Sequence, residues 1–261
     1  MKARGKRMAN KIDFNCDMGE SFGMYKMGLD EEVIKHITSA NIACGFHAGD
    51  PNWMRTTVKL AEEHGVAIGA HPSFPDLSGF GRRAMNASAL EVKNDVIYQM
   101  GALQAFTGAK RLQHVKPHGA MYNMAVDDQD LATAICEAVL EVDSDIVLLA
   151  LAGSQWISVA EDLGLRVGRE IFADRALNTD GTLVSRSKEG SVIHDIQEVV
   201  DRSLRMVTEG KAVAISGEVI EVEADSLCLH GDTPGAVDMA QALKQALLAE
   251  DVEVTPLGEL V

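Results

Sequence analysis

Short apolar runs of strand length alternate with longer stretches in which apolar residues recur at helical spacing along this 261-residue chain. The strand-like runs cover 12–17, 39–44, 66–70, 111–117, 146–152, 166–173 and 224–229. The helix-like stretches that follow them cover 30–37, 50–64, 88–106, 131–142, 156–163, 192–207 and 234–248. Apolar runs on either side of Ser216-Gly217 predict an added hairpin over 211–222. This alternation is typical of a parallel sheet covered by helices.

Polar residues cluster directly after six of these predicted strands. The clusters cover 15–20, 44–50, 71–76, 116–123, 173–175 and 230–235. Periodicity alone does not separate an open sheet from a closed barrel. Parallel α/β barrels, however, place their chemistry at the carboxyl ends of the strands, where the loops converge on one mouth. We therefore predict an α/β barrel in which these six clusters meet in space.

The parity of the strands indicates which side chains face inward. Asn15 and Asp17 share one face of the first strand, and His114, Lys116 and His118 share one face of the fourth. Burial of these polar side chains in an apolar layer would cost free energy. A polar barrel mouth avoids this cost. Lys116 and His118 are interpreted as functional. For His114, which is deepest in the strand, a structural hydrogen bond and a functional role stay equally open.

Composition limits the class of protein. The hydrophobic fraction is 46% and the charged fraction 24%, which is typical of a globular protein. No apolar run approaches the roughly 20 residues that span a bilayer. The net charge of −15 disfavours nucleic acid and anionic membranes as partners.

The ends of the chain and its cysteines complete the prediction of organisation. Residues 1–10 are basic and lack a signal-peptide pattern, so we expect a flexible N-terminal extension before one catalytic domain over 11–261. The four cysteines form no CxxC pair, and we expect reduced, buried thiols in a cytoplasmic protein.

Several of these segments resemble the signatures of the LamB/YcsF family. The matching segments are 15–20, 39–50, 69–76, 79–83, 114–123, 172–175 and 230–236, in the family's order. The resemblance runs from Lys11 to about Leu248. Departures are mild: Ser73-Phe74 stands where the family more often has Gly-Tyr, Met121 replaces the usual Leu, and Leu177 a common Tyr.

The resemblance implies a fold, a reaction and partners. The implied fold is a parallel (β/α)7 TIM-like barrel of the glycoside hydrolase and deacetylase type. The implied reaction is ATP-dependent opening of 5-oxo-L-proline (pyroglutamate) to L-glutamate, carried out as the A subunit of a 5-oxoprolinase together with B and C subunits. The implied cofactor is ATP with Mg²⁺, and homo-oligomerisation is left open.

This reaction needs a base, groups that stabilise a developing oxyanion, and a place for phosphate. We predict Asp17 as the base, with Glu20 as a less favoured substitute. Lys116 and His118 are the candidates for oxyanion or phosphate stabilisation. The turns contain further candidates for contacts with substrate or phosphate: Asn15, Glu20, His47, His71, Arg82, Arg83, Asn123, Asp174, Arg175, His230 and Asp232. For Arg82 and Arg83, an anion site and a surface salt bridge stay equally open.

Two rival hypotheses use the same residues. A metal-dependent deacetylase or amidohydrolase would use the carboxylate and imidazoles as ligands, and Asp17, His47 and His71 would be the metal set. We do not predict a metal, because no HExxH motif occurs. A non-catalytic subunit that positions the substrate is the other alternative. No Walker motif is present either, so ATP handling is expected to need the partner subunits.

Overall fold

The computed structural model describes residues 11–108, 111–231 and 235–261. The predicted extension over 1–10 and the candidate Asp232 lie outside these residues. Within them, the strands are β1 (Lys11–Met18), β2 (Ser39–Ala43), β3 (Ala67–His71), β4 (His114–Val115), β5 (Val147–Leu151), β6 (Arg166–Phe172), β7 (Lys211–Val213), β8 (Val219–Glu221), β9 (Ser226–Leu229) and β10 (Glu253–Val254).

Seven parallel strands close into a barrel. Their order is β1, β2, β3, β4, β5, β6 and β9, and β9 pairs back onto β1. The predicted (β/α)7 barrel is therefore confirmed. The strands β7 and β8 form a separate antiparallel hairpin, and β10 pairs in parallel with the first residues of β1.

Helices surround the barrel on its outer side. Their bounds in the described chain are α1 (Asp30–Val33), α2 (Pro51–His64), α3 (Ala89–Gln104), α4 (Gly119–Ala125), α5 (Gln129–Val142), α6 (Gln155–Asp162), α7 (Ile196–Leu204) and α8 (Ala236–Ala249). Local sequence fixes several helix ends. Asp50 accepts hydrogen bonds from the backbone amides of Asn52 and Trp53 and caps α2, with Pro51 in its first turn. Ser88 and Glu91 form a capping box at the start of α3.

Alternate residues of β1 face opposite sides of the sheet. Phe14 and Cys16 belong to the apolar core between the sheet and the helices. Asn15 and Asp17 instead hydrogen-bond to side chains from other barrel strands. The parity predicted from sequence therefore separates the core face of β1 from its interior face.

The C-terminal segment closes one end of the barrel. Val147, Leu149 and Leu257 are completely buried and form an apolar cluster of their own. Beside it, the Thr255 amide donates to the Ile12 carbonyl at 3.0 Å, and Arg166 donates to the Gly258 carbonyl at 2.9 Å. These contacts lie at the amino-terminal ends of β1 and β6. The polar turns that follow the strands lie at the opposite end, which is the mouth.

The elements differ from the sequence-based prediction mainly around the fourth strand. A strand was predicted over 111–117, but β4 has two residues, and α4, which was not predicted, begins at Gly119. Its continuation still runs beside β3, since the Lys116 amide donates to the Ala70 carbonyl and the His118 amide to the Pro72 carbonyl. The helix predicted from 192 starts at Ile196, because the Asp195 side chain caps it by accepting from the Glu198 amide.

Replacement of Gly69 by alanine tests the packing of the barrel interior. An added Cβ would lie 2.1 Å from Nε2 of the buried His114 side chain. We expect Gly69→Ala to lower the free energy of unfolding by about 1–3 kcal/mol, as overpacking does. Urea denaturation measures this change.

Gly101→Ala is the matched control. Gly101 lies on the exposed side of α3, and its added Cβ would have no atom within 4 Å. This variant should gain about 0.5–1 kcal/mol from helix propensity. Equal effects of the two substitutions would contradict the close packing of His114 on Gly69.

Candidate active site

A buried lysine lies at the centre of the barrel mouth. Lys116 Nζ is 3.0 Å from Asp17 Oδ1 and 2.8 Å from Glu170 Oε1. It also donates to Asn15 Oδ1 at 3.3 Å and contacts Cys228 Sγ at 3.0 Å. The side chain is only 3% exposed. Three barrel strands thus provide the oxygen and sulfur atoms that surround one ammonium group.

The two charged partners stabilise each other's ionised state. Burial alone would raise the pKa of Asp17, but the charges of His71 and Lys116 outweigh burial and hold this pKa well below its usual range. Burial also opposes the charge of Lys116, yet Asp17 and its neighbours hold the lysine pKa well above its usual range. The mouth therefore contains a carboxylate and an ammonium group rather than two neutral side chains.

Three histidines and one glutamate form a second group beside this ion pair, which we call the histidine pocket (Glu20, His47, His71 and His118). The rings of His47 and His118 stack with centroids 3.8 Å apart. His118 Nδ1 lies 2.9 Å from His71 Nε2, and Glu20 Oε1 lies 3.4 Å from His47 Nε2. Burial, followed by the neighbouring histidines, lowers the pKa of His47 and of His118 well below the usual range. Both rings are therefore neutral at pH 7.

His71 connects the histidine pocket to the ion pair. Its Nε2 lies 3.3 Å from Asp17 Oδ2, and its Nδ1 lies 2.6 Å from the backbone carbonyl of Lys116. The predicted inward orientation of Asp17, Lys116 and His118 therefore agrees with the structure. The candidates Asn15, Glu20, His47 and His71 lie in the same continuous cluster.

A short loop covers the histidine pocket. The Phe80 carbonyl is 2.9 Å from His118 Nε2, and the Phe80 ring meets the rings of His47 and His118 edge to face. Gly81 follows with φ +63°, and a Cβ there would lie 2.3 Å from Ser73 Oγ. A glycine is therefore required for the loop to approach the pocket this closely.

A layer of amides supports the mouth from inside the barrel. Asn41 Nδ2 donates to Asn15 Oδ1 at 2.7 Å and to Asp17 Oδ1 at 2.8 Å. Asn15 Nδ2 in turn donates to Glu170 Oε1 at 3.1 Å. His114 Nε2 contacts Asn41 Oδ1 at 2.7 Å, below the mouth. This position supports the structural interpretation of His114.

Two further candidates, Asp174 and His230, form a pair at the edge of the mouth. Asp174 accepts from His230 Nδ1 at 2.9 Å, and the ring of His230 stacks on Phe172. Arg175 points elsewhere: it donates to the Ser191 carbonyl at 3.2 Å and the Val184 carbonyl at 2.6 Å. Arg175 thus anchors the loop that contains these two carbonyls.

The arginines after the third strand lie outside the buried cluster. Arg83 pairs with Asp76 in its own loop and is exposed, as the salt-bridge alternative describes. Arg82 stacks on Phe80 and lines a cavity of about 520 Å³ together with Asn123. These two candidates are therefore next to the loop that covers the histidine pocket.

Sequence reasoning missed three residues of the cluster: Asn41, Glu170 and Cys228. Each lies in the middle of an otherwise apolar or small-residue strand, and each contacts Asp17, Asn15 or Lys116. A signal was present in β6, where Glu170 follows Arg169, because two consecutive charged residues of a strand face opposite sides of the sheet and one of them therefore faces the barrel interior. Its inward direction follows from the register, because Glu170 pairs with Ser226 and Ser226 with Asp13.

Two sets of side chains at the mouth offer ligand atoms that lie within 4.8 Å of one another. One set is Glu20, His47, His71 and His118, and the other is Asp17, Cys228 and His230. The metal ligands of the rival hypothesis from the sequence were Asp17, His47 and His71. Asp17 belongs to the second of these sets, and His47 and His71 belong to the first.

The fold and the mouth together define a class of protein: a parallel seven-stranded α/β barrel with a buried lysine and carboxylate cluster at its mouth. The chain belongs to the LamB/YcsF family, whose sequence profile matches residues 12–261. It is 54% identical over 253 residues to a protein of Thermococcus onnurineus that is named as the A subunit of 5-oxoprolinase, and the match covers 96% of this chain and 99% of the relative.

Solved structures agree with this assignment. The crystal structure of a lactam utilization protein from Thermus thermophilus is 48% identical, has a TM-score of 0.89, and matches 94% of this chain and 99% of its own. A deacetylase solved with its substrate is 12% identical, with a TM-score of 0.50 over 97% of this chain and 90% of its own, which shows a shared fold alone. No helix in the described part of the chain is long and apolar enough to cross a membrane.

Replacement of Lys116 tests how far the mouth depends on one ammonium group. Lys116→Met would leave Asp17 and Glu170 as uncompensated buried carboxylates. We expect the free energy of unfolding to fall by about 3–5 kcal/mol, which is typical when one partner of a buried ion pair is removed. Urea denaturation provides the measurement.

Lys93→Met is the control, since Lys93 makes its ion pairs with Glu137 and Glu141 at the surface and little change in the free energy of unfolding is expected. Similar losses in both variants would contradict this account.

Asp13 gives the barrel a predicted dependence on pH. Burial raises the pKa of Asp13 from 3.8 to about 6, in spite of hydrogen bonds from Ser226, Ser39 and Thr38. Because the pKa is higher in the folded state, this group's contribution to stability is complete below about pH 4 and is lost as the pH rises through about 6.

The variant Asp13→Asn isolates that contribution. The stability of the unaltered protein relative to Asp13→Asn should fall by about 2–2.5 kcal/mol as the pH rises from about 4 to about 7. Urea denaturation of both proteins across this range measures the difference. A constant difference would contradict the raised pKa.

Proposed function

We propose that this chain is the A subunit of a multi-subunit 5-oxoprolinase and takes part in the ATP-dependent opening of 5-oxo-L-proline to L-glutamate. The name of the Thermococcus relative supports this role, because the two sequences match over nearly their full lengths. The name of the Thermus protein supports a cyclic amide as the substrate.

One observation at the mouth carries the chemical part of the proposal. Lys116 lies between Asp17 and Glu170, and His71 links this group to His118. The site thus combines an ionised carboxylate, a buried ammonium group and the neutral imidazoles of His47 and His118. These are the groups that hydrolysis of an activated amide requires.

The reaction needs activation because a lactam amide is a poor electrophile. Transfer of the γ-phosphoryl group of ATP to the lactam oxygen releases ADP and makes the ring carbon more electrophilic. Water then adds to this carbon, and breakage of the C–N bond leaves an acyl phosphate and a free amine. A second water displaces phosphate and gives glutamate.

The residues of the mouth take distinct roles in this scheme. Asp17 accepts the proton of the attacking water and returns it to the ring nitrogen as the C–N bond breaks. Lys116 and His118 stabilise the negative charge on the oxyanion or on the phosphate. Glu20 is the less favoured base, because its Oε1 lies next to His47 and 3.7 Å from His118.

The proposed cofactor is ATP with Mg²⁺, and the proposed partners are the B and C subunits. Since the sequence contains no Walker motif, we assign ATP handling to the complex rather than to this chain alone. Arg82 and Asn123 line the cavity next to the mouth and are the proposed contacts with phosphate. Asp174, His230 and Asp232 stay candidates for substrate contacts.

The decisive assay measures ATP-dependent release of glutamate from 5-oxoproline, with this chain alone and after addition of each partner subunit. We expect release with the complete set of subunits. In that complex, Asp17→Asn should lower turnover by at least about 100-fold, because the base is lost. Assembly, followed by size-exclusion chromatography, should be unchanged.

Asp13→Asn is the matched control, since Asp13 is a buried carboxylate on the same strand whose side chain, among the described residues, accepts hydrogen bonds only from hydroxyl groups deeper in the barrel. It should keep most of the turnover. Absence of glutamate in every combination of subunits would refute the proposed reaction. Full turnover in Asp17→Asn would favour a subunit that only positions the substrate, and loss of assembly would favour a scaffold.

A further inference from the structure

The histidine pocket has the composition of a metal centre. The ligand atoms of Glu20, His47, His71 and His118 all lie within 4.8 Å of one another, and the four residues are buried. Three imidazoles and one carboxylate are typical ligands of zinc and similar divalent ions, whereas Mg²⁺ and Ca²⁺ prefer oxygen ligands.

Backbone carbonyls fix the orientation of two of these rings. The Lys116 carbonyl lies 2.6 Å from His71 Nδ1, and the Phe80 carbonyl lies 2.9 Å from His118 Nε2. A carbonyl only accepts, so each of these ring nitrogens must carry the proton. Histidine ligands of metals are usually held in this way, because the second nitrogen is then left with its lone pair free for the ion.

The remaining nitrogens of the same two rings face each other. His71 Nε2 and His118 Nδ1 are 2.9 Å apart. In neutral rings both atoms would present lone pairs, which repel at this distance. Either an extra proton on one ring or a cation bound by both is needed. Ligand atoms of a tetrahedral zinc ion, with bonds of about 2.0–2.1 Å, lie about 3.3 Å apart, which is close to the observed separation.

His47 supplies an independent observation. It is completely buried, and neither of its ring nitrogens has a hydrogen-bond partner among the described residues. A buried polar atom without a partner costs about 1–3 kcal/mol. His47 Nε2 lies 3.4 Å from Glu20 Oε1 without forming a hydrogen bond to it. An ion at this position would satisfy the lone pair.

We propose that His47, His71, His118 and Glu20 bind one divalent transition-metal ion of the zinc type. The ion would lie beside Asp17, since His71 Nε2 is 3.3 Å from Asp17 Oδ2. In that position it supplies Lewis-acid stabilisation of negative charge on oxygen, and it takes over the role assigned above to His118. Binding itself does not depend on the proposed reaction.

Metal binding is tested on the full chain without ATP, 5-oxoproline or partner subunits. The protein is stripped with a chelator and titrated with Zn²⁺ against a chromophoric chelator, and the bound metal is counted by mass spectrometry. We expect one ion per chain. His47→Leu should bind at least about 100-fold more weakly, because it removes a ligand and keeps a similar volume. His64→Ala, which changes an exposed histidine on α2, should bind as the unaltered chain does.

A second measurement does not depend on the folding of a variant. The unaltered chain loaded with Co²⁺ should show the visible absorption bands of a tetrahedral site with nitrogen ligands. Failure to bind Zn²⁺, or binding that His47→Leu leaves unchanged in a folded protein, would overturn the proposal. The extra proton shared by His71 and His118 would then explain their short contact. Neither outcome depends on whether the complex opens 5-oxoproline.

Discussion

One buried ammonium group constrains the mouth of this barrel. Lys116 has lost nearly all contact with water, so its charge is tolerable only next to ionised partners. The carboxylates that compensate it come from β1 and β6, which lie on either side of β9, whereas Lys116 follows β4, three strands from β1 along the sheet. In a flat sheet these three strands would place β4 about 14 Å from β1. The ion cluster therefore requires a closed barrel, in which Lys116 meets Asp17 and Glu170 across the interior.

The amide layer beneath the mouth makes this arrangement specific. Asn41 donates to both Asn15 and Asp17, and so fixes the direction of the two carbonyl-type oxygens that Lys116 contacts. Farther down, the interior changes from amides to the apolar cluster of Val147, Leu149 and Leu257. Between these two layers, Asp13 accepts hydrogen bonds from the hydroxyl groups of Ser39 and Ser226, so the buried polar groups of the interior also have partners below the mouth.

The sequence predicted the barrel well because its signal is repeated. Seven strand and helix units point to the same architecture, so an error in one of them, such as the short β4, does not change the result. The inward direction of Asp17 and Lys116 could also be predicted, since each stands at a strand end rich in polar residues. Glu170 could not be placed in the same way, because it lies inside β6 next to Arg169 rather than in a polar turn, and the strand itself gives no sign of the partner that Glu170 meets. Its pairing with Lys116 depends on register across the barrel, which only the closed fold determines.

The loop at 79–82 holds the mouth in two ways at once. The Phe80 carbonyl fixes the tautomer of His118, while the Gly81 carbonyl accepts from the Ala120 amide and ties the same loop to the start of α4. Both bonds are made by consecutive residues of one short loop. The tautomer of the His118 ring therefore depends on the same stretch of backbone that positions the first turn of α4, so a substitution that shifts one of them disturbs the other as well.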